Sequence, residues 1–300
     1  MAKKKKNENL PEGMSRRQAK LAARAAERAA LEKDPRPFGG LVAEADLIAL
    51  QEFVPAAEAT VDVKGATRPI KIVTVLPGAV AAVAREDEAL VALQTQSHSQ
   101  NPGRDLAYAL NWAKDAAAGE SLASAAADGS QPALTELIDA STPLTVTARD
   151  EFTWWVGEGE TVSPMYAQAI REANERIIPS YPVEANIPGV AWWVNPGNGK
   201  AHIRWVRTDD NENQLLNALA RIAARGELVL GEGSKFAGAF RTHGVVVPVW
   251  DLDPAREVAS YAADLEELAA KIDAELGNDA QLTADERKQL QNIKSRQVTI

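Results

Sequence analysis

The stretch 190–206, VAWWVNPGNGKAHIRWV, constrains the fold more than any other part of this chain. Two runs rich in Val, Ile and Trp flank Asn195-Pro196-Gly197-Asn198-Gly199, whose residues tolerate turn conformations with φ > 0. That pattern predicts a β-hairpin. A weaker unit of the same kind begins at Ile72-Val73-Thr74-Val75-Leu76-Pro77-Gly78. The recurrence suggests that one supersecondary unit is used twice.

The segments around the two units support this reading. Helices are predicted over 44–53, 106–118, 164–178 and 211–225, from apolar spacing, with Pro55, Gly119, Pro179 and Gly226 as stops and Asp105 as a helix cap. Strands are predicted over 60–63, 69–76, 89–96, 144–148, 181–185, 190–194, 201–207 and 245–250. Pro248 places the last of these at an edge or bulge, because proline cannot donate to a ladder. The expected fold is α+β, with pseudo-duplicated helix–strand–strand–strand–helix–strand units and antiparallel sheets. The expected boundaries are a basic N-terminal arm and linker at 1–40, a first repeat at 41–157, a second at 158–253, and C-terminal helices at 254–300. Within the last, Val258, Tyr261, Leu265, Leu268, Ala269 and Ile272 form one apolar helix face, and Thr283 with Glu286 has capping-box spacing.

Charge is laid out unevenly. The 300 residues carry a net −9, but residues 1–36 hold 11 Lys/Arg against 5 Asp/Glu and so carry +6, leaving −15 on the remainder. An acidic body disfavours a general nucleic-acid surface and leaves the arm as the electrostatic candidate. Residues 1–13 lack hydrophobic periodicity and read as disordered. In the helix that follows, Arg17, Lys20, Arg24 and Arg28 share a face suited to phosphate contacts. No run is long and apolar enough to span a bilayer, and the N-terminal lysines precede no apolar signal core, so a cytoplasmic location is expected.

Four segments carry a family resemblance: GMSRRQAKLAARAAERAALEKDPRPFGGL, VALQTQSHSQNPGRDLAYAL, GEGSKFAGAFRTHGVVVPVWDL and LTADERKQLQNIKSRQVTI. Through them the whole chain resembles an actinobacterial protein family of unknown function. That resemblance implies no activity. Relatives carry topoisomerase II or preprotein translocase labels, and the residues support neither. Such ATPases need a phosphate-binding glycine loop, and GxxxxGK[ST] does not occur.

Catalytic motifs are equally scarce. There is no Cys, which excludes disulfides, thiolate nucleophiles and Cys-ligated metal. His98, His202 and His243 show no metal-ligand spacing, so no metal and no cofactor is expected, and no Ser sits in GxSxG. Gly231, Gly233, Ser234 and Lys235 form a glycine-bearing turn that could cradle an anion, though a structural loop explains it as well. Asp209-Asp210, Glu86-Asp87-Glu88 and the pair Asp251 and Asp253 read as turn acids and caps. Trp154-Trp155, Trp192-Trp193 and Trp205 lie in strand-like places, where alternation sends one of each pair outward. Packing between the halves is their expected use. A partner-binding groove built on Trp155, Trp192 and Trp205 is the alternative.

The expectation is a non-enzymatic binding protein for an unknown protein or peptide partner, with RNA or ribosome contact through residues 1–36 and no membrane contact. One alternative is an enzyme using acids near the closing strand. Another is a homodimerisation module built on the helix after 254.

Overall fold

A computed structural model describes Arg17, Gln18, Leu21, residues 33–157 and residues 159–299. Its centre is α1 (Glu44–Glu52). Leu47, Ile48, Ala49 and Leu50 are all fully buried. Four successive residues point around most of the helix, so α1 must be covered on several sides, with Asp46, Gln51 and Glu52 left partly exposed.

Two six-stranded sheets provide that cover. The first contains β1 (Ala57–Val61), β2 (Ile70–Val73), β3 (Ala82–Ala84), β4 (Ala89–Ala92), β5 (Ser121–Leu122) and β6 (Thr145–Ala148), in the order β5-β3-β4-β2-β1-β6. The second contains β7 (Ser180–Pro182), β8 (Val190–Val194), β9 (Ala201–Val206), β10 (Lys235–Thr242), β11 (Val245–Leu252) and β12 (Gln297–Thr299), in the order β12-β10-β11-β9-β8-β7. The fold is mixed α+β. Each sheet has one parallel pair, β2 with β4 and β10 with β12, where purely antiparallel sheets were expected.

The 190–206 hairpin is present, pairing Val190 with Val206 through Val194 with His202. Its expected counterpart is not a hairpin. The strands β2 and β4 run parallel, and β3 is inserted between them in the chain. The two sheets therefore differ in connectivity. A parallel pair needs a crossover, and the stretch 74–88 supplies it.

The helices α2 (Pro102–Asp115) and α1 lie on one face of the first sheet. One face of the second sheet, through Trp192, Val194, Val206 and Val247, packs into the same core. On its other face Ala191, Trp193, Ile203, Trp205 and Trp250 meet α5 (Glu212–Ala224), α6 (Tyr261–Leu276) and Ile293 of α7 (Ala284–Ser295). The apolar face of α6 is thus covered by its own chain. Two smaller helices are α3 (Leu134–Leu137) and α4 (Pro164–Asn174). The capping box at Thr283 forms with both of its hydrogen bonds.

Other expectations need correction. Asp105 does not cap α2, which begins at Pro102. Its carboxylate instead accepts the backbone N–H groups of Ser99 and Ala127, tying two loops to the helix. Trp154 and Trp155 lie in a short 3-10 turn rather than a strand. The strand carrying Pro248 is interior, between β10 and β9. Its ladder to β9 covers Val249–Leu252 and resumes only as an isolated Arg207–Val246 bridge. Proline thus sits in the gap, where no donor is missed. Gly189 (φ 75°) precedes β8, and a Cβ there would lie 1.9 Å from the Val206 carbonyl oxygen. Only glycine allows the chain to enter the hairpin so closely.

Asp46 of α1 is half-buried, and burial first, then the neighbouring charge of Glu184, raises its pKa from 3.8 to about 6. Ionising it costs free energy in the folded state. The cost is absent below pH 3.8, grows up to about pH 6 and is complete above that. The helix N-terminus offsets part of it. Asp46→Asn is therefore expected to stabilise the fold at pH 7.5 by about 1–3 kcal/mol, with the gain vanishing near pH 4. Urea unfolding at the two pH values measures this; a pH-independent difference would refute it.

Candidate functional site

Between the two sheets, at the C-terminal end of α1, lies a cleft of about 1040 Å³. Five parts of the chain wall it: Gln51 and Glu52 of α1, Val75 and Ala79 after β2, the stretch from Leu93 to Pro102, the tip of the β10–β11 hairpin at 241–244, and the linker residues Lys33, Asp34, Pro35 and Pro37. Three of the four segments through which the chain resembles its family meet here.

The end of α1 dictates much of the geometry. A helix leaves its last carbonyls without intrahelical partners. The Gln94 side-chain amide, just after β4 of the first sheet, donates to the Leu50 carbonyl of the last turn (2.7 Å) and to the Val54 carbonyl just beyond it (2.8 Å). From the second sheet, His243 Nε2 lies 2.6 Å from Glu52 Oε1. The imidazole also packs edge-on against Phe38, with ring centroids 5.7 Å apart. Among the described residues Nδ1 of His243 has no hydrogen-bond partner. A carboxylate that fixes one ring nitrogen and leaves the other open can orient a proton donor or acceptor toward a ligand.

The cleft also concentrates backbone strain. Among the described residues two non-glycines have positive φ, Ala79 (51°) and His243 (47°), and both line it. His243 and Gly244 (φ 80°) form the two-residue hairpin turn, whose geometry demands positive φ at both positions. Gln51 Oε1 is buried without a hydrogen-bond partner. An unpaired buried acceptor costs about 1–3 kcal/mol, so an N–H or O–H from a ligand would relieve it.

The linker is held from both sides. Arg36 donates to the buried Glu44 at 2.6 and 2.8 Å, a two-pronged pair. It also reaches the Thr208 carbonyl (2.7 Å) and Asp210 (2.9 Å). The Asp34 N–H donates to Asn101 Oδ1 at 2.7 Å. The stretch joining the basic segment to the body is therefore part of the cleft wall.

The residues singled out from sequence fall elsewhere. Arg17 is helical and exposed, whereas Lys20, Arg24 and Arg28 lie outside the described residues, as does the stretch 1–13. Trp192 and Trp205 are buried in the two cores and offer no ring to a partner, which corrects that expectation. Trp155 is half-buried, stacked on Phe152 at 4.4 Å, and its indole N–H, like that of Trp154, donates to the Val75 carbonyl. The 231–235 turn closes on itself: Ser234 Oγ accepts from Leu230 N–H (2.6 Å) and donates to the Gly231 carbonyl (2.9 Å). A Cβ at Gly231 (φ 72°) would collide with Arg256 and Asp264, whereas Gly233 (φ 78°) faces open space; both turn the chain.

The acids near β11 are also engaged. Asp251 lies 2.6 Å from Lys200 and 3.2 Å from His202 Nδ1. Burial alone would raise its pKa, but the Lys200 bond and charge hold it below the usual range. Burial and the nearby Arg204 lower the pKa of His202 against the opposing pull of Asp251. Asp209 is bound by Arg207 and Asp253 accepts from Ala255 N–H. Among the described residues no group of three or more His, Asp or Glu is placed to hold a metal ion, and no helix is long and apolar enough to cross a membrane. The cleft itself was missed from sequence. Its traces were the amide-rich stretch 94–100 and a His-Gly pair between two β-runs.

His243→Asn keeps a residue that accepts positive φ, whereas His243→Val does not. The Asn variant is expected to lose under about 1 kcal/mol of stability, and the Val variant roughly 2 kcal/mol more. Chemical denaturation checks this, and equal losses would mean that the turn is not what His243 serves.

No curated protein and no solved structure matches the chain. The chain belongs to the family of unknown function DUF5926, which matches residues 37–300.

Proposed function

We propose that this is a cytoplasmic binding protein whose inter-sheet cleft takes an extended, amide-bearing segment of a protein or peptide partner. The observation that carries the reading is the cleft with Gln51 Oε1 buried and unpaired on its wall. Gln51, Gln96 and Gln100 offer both donors and acceptors, which suits the alternating N–H and C=O groups of a peptide. Val75 and Leu93 supply apolar wall between them. The net +6 of residues 1–36, attached at the cleft's rim, supports a second contact with RNA.

An enzymatic reading draws on a single feature, the His243–Glu52 pair, and would place proton transfer in the same cleft. A homodimer built on the apolar face of α6 is disfavoured, because the protein's own core covers that face.

Panning a peptide library against the full chain tests the cleft. Gln96 is exposed on its wall, so Gln96→Trp fills space without disturbing the core. Selected peptides are expected to bind this variant at least about tenfold more weakly, the effect of losing one well-placed contact. Peptides that bind both proteins equally would place the binding surface elsewhere. For the arm, deletion of residues 1–32 is expected to weaken RNA binding at low salt and flatten its salt dependence; unchanged binding would remove the RNA contact.

A further inference from the structure

A second cavity, of about 260 Å³, lies on the far side of the second sheet from the cleft, among the C-terminal end of α5, the start of β10 and α7. Its lining is unusual for so acidic a protein. Lys235 and Arg296 flank it, and no Asp or Glu lines it. Several nearby cations are matched: Arg225 with Glu227 and Glu275, Lys271 with Glu267, and Arg256 with Asp264. Among the described residues neither Lys235 nor Arg296 has a carboxylate partner. A net −9 chain thus leaves two cations facing one cavity.

The rest of the lining is apolar or amide. Leu228, Phe236 and Ile293 form an apolar floor, and Gln289 and Asn292 add amide groups. Val229, 42% exposed, stands at the rim. Phe236 is held edge-on against the buried Trp250, with centroids 5.4 Å apart, so the floor is supported from the core. A pocket with an apolar body and a few convergent charged groups is the usual form of a small-molecule site. We infer that this cavity binds a small organic anion, a carboxylate on a flat apolar body, with Lys235 and Arg296 holding the carboxylate and Phe236 the body. Only Ser234 and Lys235 of the glycine turn line it, and the Ser234 hydroxyl is already committed within the loop. The charge therefore comes from Lys235 and from Arg296 on the α7 side.

Titration of the full chain with 2-naphthoate, followed by backbone amide NMR, tests the inference. Shifts are expected to cluster at 234–236 and 289–296. Lys235→Gln and Arg296→Gln change exposed side chains, and together they are expected to weaken naphthoate binding at least about tenfold while leaving the remaining spectrum unchanged. The neutral 2-naphthamide should bind about tenfold more weakly than naphthoate, and inorganic phosphate should not compete at equal concentration. Equal binding of the amide would reduce the site to an apolar crevice. Effective competition by phosphate would leave only two surface cations. Shifts elsewhere, or binding that survives the double substitution, would overturn the assignment.

Discussion

Everything in this structure is arranged around a nine-residue helix whose apolar residues are all buried. A helix with Leu47, Ile48, Ala49 and Leu50 in succession cannot lie on a surface, because any exposed stripe would leave a large aliphatic side chain in solvent. Two sheets are the least that can enclose it. Burial in turn places demands on its polar ends. At the N-terminus Glu44 is almost fully buried, and a buried carboxylate is tolerable only when paired. Arg36 meets it with two parallel hydrogen bonds and then reaches across to Thr208 and Asp210. At the C-terminus Gln94 and His243 approach from opposite sheets. The same helix therefore fixes the linker, the first sheet and the hairpin of the second.

The cleft forms beyond the end of the helix, where the tip of the β10–β11 hairpin stands across from the stretch after β4. The space beyond the helix end is walled by polar side chains because that is where two loops and a hairpin turn meet. Strain gathers there for the same reason. Both Ala79 and His243 lie where the chain must reverse at the edge of a core it cannot rearrange.

Much of the fold was legible in the sequence, and the failures have physical causes. The 190–206 hairpin, the helix over 211–225, the capping box at Thr283 and the face of α6 rest on local rules, and there those rules held. Which strands pair is not a local matter. The β2–β4 parallel pair could not be told from a hairpin, since both present two apolar runs separated by a loop. The strand β10 was missed because KFAGAFRT carries two charges and a glycine, and its regularity comes from lying between β11 and β12. The tryptophans misled for another reason. Alternation sends neighbours to opposite faces, but it does not say whether the outer face is covered. In β8 both faces are, so Trp192 and Trp193 enter different cores. The cleft was the least legible feature, for it is assembled from five distant stretches that share no motif.

The hairpin tip shows why a local misfit is informative. A two-residue turn with positive φ at both positions is best made by Asn-Gly or Asp-Gly, and this chain places His243 before Gly244. The longer 195–200 loop of the other hairpin makes no such demand of its Asn198, for there only Gly197 and Gly199 have positive φ. Histidine is a poorer choice for the backbone and a richer one for the cleft. It contributes a ring that packs on Phe38, a nitrogen fixed by Glu52 and a second nitrogen left open. Where turn propensity and side-chain chemistry compete at this tip, the residue present follows the chemistry. That misfit separates the β10–β11 tip from ordinary loop structure, and the proposed binding cleft lies beside it, at the end of the buried helix.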